Sequence, residues 1–366
     1  MELLFDTFQS QRSELRIRRL AYRLDRSYAW NYSHGPTLPR RPSRLPPGPG
    51  AQLFDYRLNS PLGIGAGILL NSKWVDAYAH LGFDVLTYAT VRSAARPAYP
   101  LPNITPAESR DEVVVARRTG EVTAPNLLAL STGSPSQEPD VWRKDVRRAK
   151  ERIGSGQILV VSVIGTPAPD GEGDALATDY AQCATWATES GADAIEVHLA
   201  WPRPETADGR MVYDDLRLSA YILDRVRAAV RVPIVAKLGG FRSARVLHET
   251  LTKLAPWVHG FVLVHGIRRR LVDESGNPFF ADKDRAVTRV IGPDTFTLCS
   301  RQVEEGIAWR KAGAWQRALL ALGGIASVDQ VRSTLRAGAD VALVDTAALV
   351  DPLFAVRTRG SFATAA

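Results

Sequence analysis

Leu322-Gly323-Gly324-Ile325 closes an apolar run, and Gly338-Ala339-Asp340 and Val344-Asp345-Thr346 follow it. Glycines straight after a strand let backbone N–H groups approach a phosphate, and a helix opening near Ser327 adds a favourable dipole. A glycine turn needed only for packing is the other reading; the repeating cadence around it favours phosphate. Lys237 ends the apolar run Pro233–Leu238, where an ammonium needs a buried partner. His265 follows Phe261–Val264, so its imidazole either relays a proton near neutral pH or is structural. Arg203 either grips a carboxylate or phosphate in bidentate fashion or is a solvated loop charge. Cys183 and Cys299 make neither a zinc spacing nor a disulfide framework, and no metal is expected.

These residues need a scaffold, and the chain supplies a cadence for one. Apolar runs at Leu62–Gly65, Asp84–Ala89, Ile158–Ile164, Ala194–Leu199, Pro233–Leu238, Phe261–Val264, Leu319–Leu322 and Val341–Val344 alternate with helical stretches. Continuous apolar strands between helices imply a parallel sheet buried on both faces. Eight such units in roughly 300 residues point to a closed (β/α)₈ TIM barrel before an open sheet. Gly-Ala-Asp at 191–193 and again at 338–340 marks two helix ends just before strands. The inserts 91–140 and 266–297 follow strands two and six. Loops after barrel strands lie on the catalytic face, so both should cover an active site. Within the first, Asp111–Arg118 reads as a hairpin strand and Ser131–Pro139 as a polar loop.

Two domains are expected: residues 1–50, a basic helix plus a proline-rich connector, and 51–366, the barrel. Ser13–Trp30 reads as a helix with Leu15, Leu20, Leu24 and Tyr28 apolar. Its arginines admit contact with an anionic membrane, but docking on the barrel is the commoner outcome and is expected here. The net charge of +7 comes from arginines scattered beside acidic residues. It therefore suits a solvated face or an anionic ligand, and no nucleic acid is expected as a partner. No segment approaches the roughly 20 apolar residues of a membrane span. A cytoplasmic, reducing location is the expectation, with a small-molecule substrate as partner and a homodimer compatible.

The ordered series of motifs resembles the dihydroorotate dehydrogenase family. Asn59-Ser60-Pro61-Leu62-Gly63-Ile64-Gly65-Ala66-Gly67, Leu81-Gly82-Phe83, Ala89-Thr90-Val91 and Pro97–Pro102 look like the family's opening. Gly191–Val197 leading to Pro202, Val232–Leu238 and the Gly-Gly-Ile run continue it in order, over about residues 51–350. The resemblance implies FMN as cofactor. It puts Ala66, Gly67 and Thr90 against the flavin and Lys237 at the pyrimidine edge of its ring. There a cation stabilises the reduced, anionic form. His198 falls at a flavin-contacting position, and Gly323, Gly324 and Thr346 would hold the phosphate. Asp345 departs from the family's neutral residue, and an anion beside phosphate costs energy unless a cation or an outward direction relieves it.

The substrate half departs further. The family's Asn-x-Ser-Cys/Ser-Pro-Asn signature reads His198-Leu199-Ala200-Trp201-Pro202-Arg203 here. Trp201 stands where the family keeps its proton-abstracting Cys or Ser, and an indole is no base. It either stacks on a planar substrate or plugs the vacated pocket. Leu70 replaces a lysine, and Ser131, Arg203 and His265 replace the orotate-clamping asparagines. The expectation is an FMN-dependent oxidoreductase acting on a C–C bond next to a carbonyl, in a small cyclic or anionic substrate other than orotate. His265, Arg203 and Lys237 are its candidate catalytic residues. Flavin-binding barrels with oxidase or non-redox chemistry, and a non-catalytic scaffold, are the rival expectations.

Overall fold

The computed structural model describes residues 20–40, 42–110, 112–117, 126–166, 173–202, 210–282 and 285–363. A short hairpin, β1 (Ala51–Leu53) and β2 (Tyr56–Leu58), precedes the first barrel strands β3 (Leu62–Leu69) and β4 (Val85–Val91). An insert adds β5 (Ile104–Arg110), β6 (Val113–Ala116) and β7 (Leu127–Leu130). The barrel resumes with β8 (Ile158–Val163), β9 (Ala194–His198), β10 (Ile234–Lys237) and β11 (Gly260–Leu263). A second insert carries β12 (Ile267–Val272) and β13 (Val287–Ile291), before β14 (Ala318–Leu322) and β15 (Val341–Val344). All eight expected barrel strands are present.

These eight strands close in chain order, β15 pairing with β3, and every pairing is parallel. The chemistry of the strands explains the closure. Ile158–Val163 is buried at every position, as a strand covered on both faces must be. One face enters an interior cluster with Val85, Val160, Val235, Val262, Leu320 and Val341. Leu53 and Leu58 of the β1–β2 hairpin join that cluster and floor the barrel. The opposite face packs against the helices. Ser327 caps the helix Val328–Ala337 through a box with Gln330, fixing the turn after β14 as its residue types suggest.

The two inserts combine. β12, β13, β7, β5 and β6 form a second, small closed sheet with its own core of Val114, Leu127, Leu271, Phe280 and Val290. Because they leave the barrel after β4 and β11, this sheet lids the carboxyl ends of the strands. The expected strand Asp111–Arg118 is β6, antiparallel to β5; residues 111 and 118 lie outside the described residues.

The amino-terminal expectation needs correction. Helix begins at Tyr28 and runs to His34, with Ser27 as N-cap, and the described residues before it are not helical. The Asn31 side chain accepts from the Arg23 backbone N–H and donates to the carbonyls of Arg23, Arg26 and Ser27. That pins residues 23–27 into a turn that helical periodicity does not foresee. Ala21, Tyr22, Leu24 and Tyr28 are buried in the main core, and Ala21 N–H donates to Leu349 O, so this segment docks on the barrel. The rest of the expected helix lies outside the described residues. No helix among the described residues is long and apolar enough to cross a membrane.

Asp84, at the start of β4, is fully buried and accepts from Ser60 Oγ at 2.5 Å and Arg359 Nη1 at 3.1 Å. Removing one partner of a buried pair strands the other charge, which typically costs about 3–5 kcal/mol. Arg359→Ala should therefore lower the urea-unfolding free energy by that order. Adding Asp84→Asn should restore part of the loss.

Candidate active site at the carboxyl ends of the barrel strands

Lys237, the last residue of β10, is fully buried, and its Nζ lies 3.3 Å from Glu196 Oε1. Parallel register sets Lys237 opposite His198 and Val235 opposite Glu196. The ammonium therefore reaches diagonally to the carboxylate of the neighbouring strand. Neither Nζ nor the Glu196 oxygens has a hydrogen bond of good geometry. Burial pulls the lysine pKa down, while Glu196 and Asp345 oppose that pull. Asp345, just past β15, points inward: a Cβ added at Gly65 would meet its Oδ1 at 2.7 Å. Burial raises the Asp345 pKa, and Arg289 and Lys237 hold it down. The two cations thus relieve the anion that was awkward in the sequence.

Arg289 comes from β13 of the lid. Its Nη1 donates to His265 Nδ1 at 3.0 Å, and its Nη2 is the atom nearest a Cβ added at Gly67, at 3.6 Å. Burial lowers the guanidinium's pKa against the pull of Asp345 and Glu196. His265 and His198 stand ring to ring, 4.4 Å apart and edge to face. Burial first, then Arg289 and Lys237 for His265, and Lys237 and Arg289 for His198, drive both imidazoles well below their ordinary pKa. His198 Nδ1 is buried without a partner. Gly67 is exposed, and Arg289 and His265 keep part of their surface although protein encloses them. A recess with some open surface therefore lies over the strand ends.

The glycine pair follows β14 at the same end of the barrel. Gly323 and Gly324 have φ of 120° and 75°, and a Cβ on Gly324 would strike the backbone of Phe296 and Gly292. The loop is thus pressed onto the first turn of the helix Phe296–Ala312 as well as opening its own. Thr346 Oγ1 is buried and unpartnered beside Asp345. Ala66 is buried, and Thr90 Oγ1 shares a hydrogen bond with Ser162 Oγ at 3.1 Å.

Trp201, past the end of β9, is half-buried, with the guanidinium carbons of Arg92 and Arg96 at 4.9 and 5.8 Å from its ring centroid. Arg92 is buried, its Nη2 lacks a partner, and burial with Arg96 pushes its pKa down to about 10. Ser131 Oγ accepts from Arg285 Nε at 2.9 Å, so that clamp position is already engaged. Leu70 is buried in the core. Arg203 lies outside the described residues.

Sequence reasoning placed Lys237, His198, His265 and Asp345 correctly at strand ends but did not single out Arg289, Glu196 or Arg92. Signals existed for two of them. Glu196 interrupts the apolar run Ala194–Val197, and Arg289 interrupts the β-branched run Val287–Ile291. A charge inside such a run demands a partner elsewhere. Neither partner is named by local sequence.

The buried imidazoles give a pH prediction. Both titrate in the native state below the unfolded value of about 6.5, so the unfolded chain binds more protons as pH falls past that value. Their contribution is complete above about pH 6.5 and is lost progressively below it. Unfolding free energy should fall between pH 6.5 and 5, and should fall less steeply in His198→Gln/His265→Gln. An identical slope in the double variant would show that other groups govern the acid limb.

No protein-family model matches the chain. It is 25% identical over 362 residues to a dihydroorotate dehydrogenase of Dictyostelium discoideum, covering 93% of this chain and 97% of that one. Two proteins described as dihydroorotate dehydrogenase (quinone) also match. That of Bordetella avium is 26% identical over 297 residues, covering 79% of this chain and 77% of its own length. That of Nocardioides sp. is 25% identical over 302 residues, with 80% of each covered. With similarity through nearly the whole length, and a closed barrel of eight parallel strands beneath it, the chain is similar to dihydroorotate dehydrogenases.

Proposed function

We propose that the protein is an FMN-dependent oxidoreductase that oxidises or reduces a C–C bond next to a carbonyl, in a small cyclic or anionic substrate other than orotate. The observation that carries the cofactor half is a set of buried, unpartnered polar atoms around one recess. Lys237 Nζ, His198 Nδ1 and Thr346 Oγ1 all lack hydrogen-bond partners there. Unsatisfied buried donors and acceptors each cost about 1–3 kcal/mol, so several at the strand ends are best understood as awaiting a ligand. The residues present fit FMN. The exposed backbone at Gly67 leaves room for a planar ring, Lys237 offers a cation at its edge, and Gly323, Gly324 and Thr346 suit a phosphate. The chemistry FMN supplies when bound is hydride transfer to or from a substrate carbon.

The chain's own residues would do the remainder. Lys237 would favour negative charge beside it, and Arg289 and His265 would present donors over the recess. The substrate half supports the departure from orotate. Trp201 holds the base position and is gripped by Arg92 and Arg96, an arrangement that leaves no proton acceptor there. A substrate proton α to a carbonyl is acidic enough for a weak base or water to take it. Trp201 at the base position also favours, as second reading, a flavin barrel with oxidase or non-redox chemistry.

Purified protein should be yellow and release FMN, not FAD, on denaturation; a colourless protein that ignores added FMN would overturn the reading. Lys237→Ala, made with Glu196→Gln so that no buried carboxylate is stranded, should weaken flavin retention by about 10- to 100-fold. That is the scale of one charge-assisted hydrogen bond. Retention measured by ultrafiltration at the wild-type level would remove Lys237 from the site.

The substrate half has its own test. Dihydroorotate added anaerobically should leave the flavin absorbance unchanged on the timescale of turnover. Loss of a general base alone costs about 10²–10⁴ in rate. Trp201→Cys should not restore bleaching, because Leu70 remains in place of the lysine. Rapid bleaching of the wild type would show that orotate chemistry is retained.

A further inference from the structure

The contact between the lid and the barrel carries chemical information beyond its position. A guanidinium has five N–H donors and no acceptor. In the 3.0 Å contact between Arg289 Nη1 and His265 Nδ1, the ring nitrogen must therefore be the acceptor. Neutral imidazole holds one proton, which is then on Nε2. Protonation of Nδ1 is blocked as long as Arg289 stays, since two donors would then face each other. The surroundings agree: Arg289, Lys237 and His198 face His265, and all three disfavour a second proton on the ring. The carboxylates in the cluster, Asp345 and Glu196, act on Arg289 and Lys237.

From this geometry we infer that Arg289 and His265 form a two-donor receptor for a negatively charged ligand oxygen, with His265 as an Nε2–H donor and not a proton acceptor. The inference rests on the barrel-mouth site proposed above and narrows its substrate to one bearing a carboxylate or a carbonyl that gains negative charge. Both side chains keep part of their surface accessible. A neutral imidazole that donates instead of accepting is an established means of polarising a carbonyl. Arg289 thereby takes the anion-gripping role that sequence reasoning gave to Arg203.

The test uses the full chain with ¹⁵N-labelled histidine, benzoate as a planar carboxylate probe and benzamide as its uncharged counterpart. Long-range ¹H–¹⁵N spectra, assigned by difference with His265→Gln, should show His265 as the Nε2–H tautomer with no titration between pH 6 and 8. Benzoate should perturb that signal and benzamide should bind at least tenfold more weakly. Arg289→Gln should mix the tautomers and lower benzoate affinity by about 10- to 100-fold, the range for loss of one charge-assisted contact. A His265 that carries its proton on Nδ1 or titrates near 6.5 in the wild type overturns the inference. So does benzoate that fails to bind the wild type, or binds Arg289→Gln equally well. If Arg289→Gln fails to fold, the wild-type tautomer and the benzoate preference decide alone. Flavin content read on the same samples separates the two proposals. Colourless protein removes the redox reading, whereas the tautomer and the anion preference stand or fall by themselves.

Discussion

A parallel barrel closed on itself leaves the carboxyl ends of its strands in a place where water is scarce and charge is expensive. Lys237 stands at that end with no exposure, and the rest of the site follows from the need to tolerate it. An isolated buried ammonium would lose its proton. Glu196 on the neighbouring strand and Asp345 past β15 oppose that loss, and both buried carboxylates then need cations of their own. Arg289 answers that need from outside the barrel. Two cations and two carboxylates in one recess form a set in which removing any member strands another.

The lid is thus more than a cover. Its small closed sheet has a separate apolar core, which gives β13 a rigid frame from which Arg289 projects onto the strand ends. The same arginine fixes the proton of His265. A buried charge carried on a rigid element is well suited to hold a ring in one tautomer, because neither group can relax without breaking core packing.

The groups at the strand ends are held in place in two different ways. The glycine pair relies on backbone: positive φ at Gly323 and Gly324, and a loop too close to Phe296 for any side chain. Such geometry resists substitution. The surroundings of Trp201 rely on side chains, an aromatic ring with the guanidinium groups of Arg92 and Arg96 near it.

The sequence by itself determined the barrel. Eight apolar runs separated by helical stretches, each buried on both faces, leave few other architectures. Ser327 with Gln330, and the glycines at 323, 324 and 338, mark their turns by residue type alone, since capping and left-handed backbone are local requirements. Local pattern misled at Ser13–Trp30, where one buried side chain, Asn31, folds the preceding residues into a turn. Only the tertiary structure decided which charges meet. Lys237 announced a missing partner, but Glu196 lies 41 positions away and Arg289 52, on another sheet altogether. Burial and charge pairing depend on what the whole fold brings together, and no local periodicity encodes the partner across a barrel.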